Sequence, residues 1–71
     1  MDDLPFSLRY ARLAGNWKML RKDAMRHARK YAGDPSQDFF VKQAKFASRM
    51  GAWSASMSRR CYQEELERAT A

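Results

Sequence analysis

Tyr31-Ala32-Gly33-Asp34-Pro35-Ser36-Gln37 (YAGDPSQ) is the segment on which the fold turns. Glycine takes up the left-handed conformation that ends helices at least cost, so Gly33 reads as the C-terminal cap of what precedes it. Asp34 then offers an N-cap carboxylate, Pro35 fits a first helical turn, and Gln37 stands three residues after the cap, the spacing of a capping box. One helix stops and another starts with almost nothing between them. So short a connection between long helices folds them back antiparallel.

Working outward from the turn, the first helix is expected over about residues 5–32. It opens at Asp3-Leu4-Pro5, where Asp2 and Asp3 suit the positive end of the helix dipole. Phe6, Tyr10, Leu13, Trp17, Leu20, Ala24 and Tyr31 recur in alternating steps of four and three, with His27 filling the one gap. That is a heptad seam. The second helix is expected over about residues 35–68, after a turn at 33–35. Its large apolar residues, Phe39, Phe46, Met50, Trp53 and Met57, fall in one narrow arc at about 100° per residue. Helices of this length are ~40–50 Å long at ~1.5 Å per residue. Residues 1–71 thus form a single all-α domain, an antiparallel hairpin of two long helices.

Beside the apolar arc of the second helix runs a ribbon of small residues: Ala44, Ala47, Ser48, Gly51, Ser54, Ala55 and Ser58. Small residues three and four apart let a second helix come close. The large arc being assigned to the first helix, the ribbon is assigned to another chain, with Ala44, Ala47, Gly51, Ala55 and Ser58 as the oligomer interface. A homo-oligomer, two hairpins forming a four-helix bundle, is the expected assembly. Length supports it, because a chain of this size buries only about 60% of its unfolded surface and its lone core is marginal. Cys61 is the only cysteine, which excludes an intrachain disulfide. In architecture alone the plan resembles the small RNA-binding helical hairpins of plasmid copy control, without sharing a local motif with them. The resemblance implies paired hairpins.

Catalytic material is sparse. Asp23 and His27 are four apart on one helix, but no nucleophile falls on their patch, and His27 reads as a partly buried seam residue satisfied by Asp23. Cys61 reads as a small core residue. His27 and Cys61 are the only soft metal ligands, and there is no glycine-rich phosphate loop. Neither enzymatic activity nor a metal, cofactor or small-molecule substrate is expected. The start Met1-Asp2-Asp3 is acidic where a secretory signal is basic, and no apolar run nears the ~20 residues that span a bilayer. A soluble, cytoplasmic chain is expected.

Charge is the most informative part of the composition. Fourteen Lys and Arg stand against eight Asp and Glu, a net charge of +6. Between Arg9 and Lys30 there are eight basic residues and Asp23 alone opposes them. Such an excess fits an anionic partner, either nucleic acid or an acidic protein surface. Arg12, Lys18, Lys22, Arg26, Arg29 and Lys30 fall opposite Trp17 on a helical wheel, accompanied by Leu8 and Met19. The basic groups suit phosphates, while Leu8 and Met19 suit a groove on another protein. A membrane surface ranks third, because it needs an apolar face not already committed to a core. The first expectation is a nucleic-acid-binding regulator; the second is an adaptor or inhibitor that docks on a protein.

Overall fold

The computed structural model describes residues 4–70. It contains two α-helices, α1 (Phe6–Lys30) and α2 (Gln37–Thr70), packed against each other as an antiparallel hairpin, with no strand among the described residues. The hairpin is a thin slab of 57 × 23 × 11 Å. Neither helix is long and apolar enough to cross a membrane. Asp2 and Asp3, expected to favour the start of α1, lie outside the described residues.

The turn uses the chemistry its sequence announces, over more residues than the three expected. Gly33 adopts φ +85°, the left-handed cap. The Asp34 carboxylate accepts hydrogen bonds from the Ser36 backbone N–H (2.9 Å) and hydroxyl (2.7 Å). The Gln37 side chain reaches back to accept from the Gly33 N–H at 3.4 Å, one residue earlier than a standard capping box. The last i→i−4 bond of α1 runs from the Tyr31 N–H to the His27 carbonyl, and α2 begins at Gln37. Proline disfavours helical backbone in the residue before it, which keeps Asp34 out of either helix.

The far end is closed by α2. Pro5 precedes α1 with no side-chain cap of its own. Glu65 supplies one from the other helix: Ser7 donates its N–H to Glu65 Oε2 (3.2 Å) and its hydroxyl to Oε1 (2.6 Å). Ser58 completes the clasp by donating to the Ser7 carbonyl at 2.7 Å. A carboxylate at this position meets the positive end of the α1 dipole and satisfies N–H groups that helix starts leave unpaired.

Between the helices the structure corrects the sequence reading. Ala44, Ala47, Gly51 and Ser58, expected to meet a second chain, face α1 of the same chain. Ala44 and Ala47 are buried with Ala24 and Ala28 of α1, and these four alanines are the buried apolar core of the described residues. Gly51 backs onto α1 so closely that an added Cβ would stand 3.5 Å from Trp17 Cβ. Ser54, fully buried, turns its hydroxyl onto the Met50 carbonyl at 2.8 Å, so it needs no partner across the seam. Ala55 is half-buried at the edge of the seam. The residues expected to fill the core lie largely outside it: Phe6, Leu20, Phe39, Phe46 and Trp53 are 48–61% exposed. The reason is steric. Helices held together through alanine and glycine leave little room between them, so these side chains are turned out along one broad side, while Tyr10, Trp17, Met50 and Met57 stay half-buried beside the contact.

Two outcomes follow from this geometry. The Cβ of Gly51→Ala would make ordinary van der Waals contact and remove a helix-weakening glycine, so that variant is expected to be more stable by up to about 1 kcal/mol. Gly51→Leu overfills the seam and is expected to cost about 1–3 kcal/mol. Urea midpoints at fixed protein concentration check both, and a marked loss in the alanine variant would contradict a seam of this closeness. The second outcome concerns acid. The Ser36 backbone and side-chain hydrogen bonds hold Asp34 below the ordinary carboxylate value of 3.8. A depressed folded-state value means that the contribution is present above pH 3.8 and is lost as pH falls through the lowered value. Thermal midpoints titrated into acid should therefore drop over that interval by more in the parent than in Asp34→Ala.

Candidate functional site

The basic residues of α1 do not act alone, because α2 brings its own to the same broad side, opposite the aromatic one. Arg21, Lys22, Met25, Arg26 and Arg29 line one shallow concavity. Arg21 and Met25 continue into a second with Val41, Ala44, Lys45 and Ser48. Arg21 also borders a third, where Lys18 stands over Ala14, Ala47, Gly51, Ala52 and Ala55. Lys45 and Ser48 join Arg49 at the outer margin. Shared residues make these one furrow that runs beside the seam. Its floor is small and apolar, its walls are basic, and no carboxylate among the described residues lines it.

Of the residues expected from sequence, Lys18, Lys22, Arg26 and Arg29 lie on this furrow. Arg12 and Lys30 are exposed but do not line it. Lys30 holds its ammonium 5.8 Å from the centre of the Tyr31 ring. Leu8 and Met19 are 50% and 66% exposed, in line with Arg12 along α1. Three contributors were missed: Arg21, Lys45 and Arg49. Arg21 had a signal. It belongs to the series Ser7, Ala14, Arg21, Ala28, spaced by seven, in which one long cation interrupts three small residues. Lys45 and Arg49 are one helical turn apart on α2 and became relevant only when the pairing face of that helix was known.

Electrostatically the hairpin has two unlike halves. Residues 18–49, the half that contains the turn, hold nine Lys and Arg against three Asp, or +6. The remaining residues hold five bases against five acids, so the entire net charge belongs to the turn half. Neutralisation inside it is slight. Among the described residues the ion pairs are Arg26–Asp23 at 3.4 Å and Lys42–Asp38 at 3.0 Å, both exposed. Exposed pairs of this kind contribute little and leave their cations available to a stronger anion.

The groups considered for catalysis are otherwise engaged. His27 Nδ1–H donates to the Asp23 backbone carbonyl at 2.8 Å, and the Asp23 carboxylate turns instead to Arg26. No carboxylate orients the imidazole. His27 is also exposed, where partial burial was expected. It stacks on Phe40 (5.1 Å, 20°), which stacks in turn on Tyr31 (5.6 Å, 13°), an aromatic pile that braces the turn. Cys61 is half-buried, and no metal-ligating group of three or more side chains forms among the described residues. With its hydrogen bond and stack lost, His27→Gln is expected to cost about 1 kcal/mol and to leave ligand binding unchanged. A folded variant that has lost its binding activity would refute this structural role.

No protein-family model matches this chain, and neither does any curated protein or solved structure.

Proposed function

We propose that this chain is a small, non-enzymatic nucleic-acid-binding regulator of the cytoplasm that works as paired hairpins in a four-helix bundle. The supporting observation is the furrow: basic walls contributed by both helices, no lining carboxylate among the described residues, and the whole +6 excess gathered in that half of the molecule. Cations in rows along a groove track phosphates, which are regularly spaced and always ionised. The furrow has no aromatic lining, so its contacts go to the sugar-phosphate backbone rather than to stacked bases. Lys18, Arg21, Lys22, Arg29 and Lys45 carry the binding in this reading.

A second reading has an observation of its own. Leu8 and Met19 stand exposed beside Arg12 on the outer side of α1, where an acidic protein groove could take them as anchors. A salt titration separates the two. Four to six phosphate contacts give a slope of log affinity against log salt of about −4 to −5 on duplex DNA. Replacing Arg21 and Lys45 by Gln should reduce the slope by about two and weaken all sequences alike, while Leu8→Ala and Met19→Ala change little. Docking on a protein predicts the reverse, since buried apolar anchors cost more to truncate than rim charges do. Absence of nucleic-acid binding at low salt would remove the first reading.

A further inference from the structure

The hairpin buries too little for its size and exposes too much. Its internal apolar core is Ala24, Ala28, Ala44 and Ala47, side chains that offer one methyl group each. Trp17 adds a burden, because its Nε1–H is buried without an acceptor among the described residues. One broad side meanwhile carries Phe6, Leu13, Leu20, Phe39, Phe46 and Trp53, each 36–61% exposed. They form a continuous surface. Trp17 meets Phe46 and Tyr10 meets Trp53 edge to face, both at 5.7 Å, bridging the helices along it. Between Trp17, Leu20, Phe39 and Phe46 lies a concavity of about 440 Å³, large enough to receive side chains from outside.

We propose that a second copy of this chain covers the aromatic side, stacked antiparallel so that the turn of each hairpin lies over the open end of the other. This deepens the paired-hairpin part of the proposed function by naming its surface and its direction. Area allows it: the broad side, within 57 by 23 Å, exceeds the ~800 Å² that each partner gives to a standard interface. Charge decides the direction. Parallel stacking would set one +6 turn half on the other, whereas antiparallel stacking lays each over a half whose described residues hold five bases against three glutamates. A second copy also meets the need for burial in a chain this small. The furrow, on the opposite broad side, stays open in both copies.

The test needs no nucleic acid, so its outcome is independent of the nucleic-acid reading; failure of the salt titration would leave this proposal standing. Sedimentation equilibrium of the full chain at tens of micromolar should give twice 8.3 kDa. Leu20→Glu and Phe46→Glu, at sites half-exposed in the hairpin, should weaken association about tenfold or more. If those variants unfold, the parent decides the matter, because dimer stability makes its thermal midpoint rise with concentration. Spin labels at Ser36→Cys in a Cys61→Ser background should lie far apart, at a distance approaching the 57 Å length of the slab. A folded 8.3 kDa species with a concentration-independent midpoint would overturn the proposal. So would a dimer indifferent to both glutamates, or labels within the 23 Å width. Pelleting of a monomeric chain with phosphatidylglycerol vesicles, abolished by Leu20→Glu and Phe46→Glu, would overturn it too, by assigning the face to a bilayer.

Discussion

Everything in this hairpin depends on how closely its two helices approach. Ala14, Ala24 and Ala28 on α1 meet a run of Ala44, Ala47, Gly51 and Ser54 on α2. Small side chains at successive seam positions fix a short separation between the axes, and that separation fixes where every larger residue can go. Dispersion along such a seam is dense, because backbone atoms themselves come into contact range. Polar members of the seam are tolerated because each has a local partner: Ser54 on its own helix, Ser7 and Ser58 in the clasp with Glu65.

The number, direction and approximate ends of the helices were legible in the sequence, because they depend on local chemistry. Gly33, Asp34, Pro35 and Gln37 each have a conformational preference that needs no knowledge of the rest of the chain. What the sequence left ambiguous was rotation about the helix axis. On α2 the stripe Phe39, Phe46, Met50, Trp53, Met57 and the stripe Ala44, Ala47, Gly51, Ser54, Ser58 both repeat in threes and fours, so periodicity alone does not choose between them. Hydrophobic burial per residue favours the large stripe, which the structure places beside the contact, with Met50 and Met57 half-buried and Phe39, Phe46 and Trp53 exposed. Contact distance favours the small one. Arg21, which the sequence reading did not single out, lines three of the concavities that make up the furrow.

Rotation about the axes also separates two kinds of surface. Leu20, Phe39, Phe46 and Trp53 are turned to one broad side, and Lys18, Arg21, Lys22, Arg29 and Lys45 collect on the other. In a slab only 11 Å thick the two sides are close in space yet chemically unlike. Glu65, an acid in the otherwise balanced open half, is taken up at the α1 N-terminus. On the basic side the one ion pair among the described residues is the exposed Arg26–Asp23 contact.

A seam built of alanine and glycine stands at the lower limit of side-chain size, so it can vary in one direction only. Almost every substitution there adds volume, and added volume pushes the axes apart along the whole length of the hairpin. The two broad sides are under no such restriction, since their side chains end in open space in the single hairpin. A scaffold of this kind is most restricted in the narrow strip between its helices and least restricted on the basic side, which no helix of the hairpin covers. New recognition can therefore be acquired on that side without renegotiating the fold.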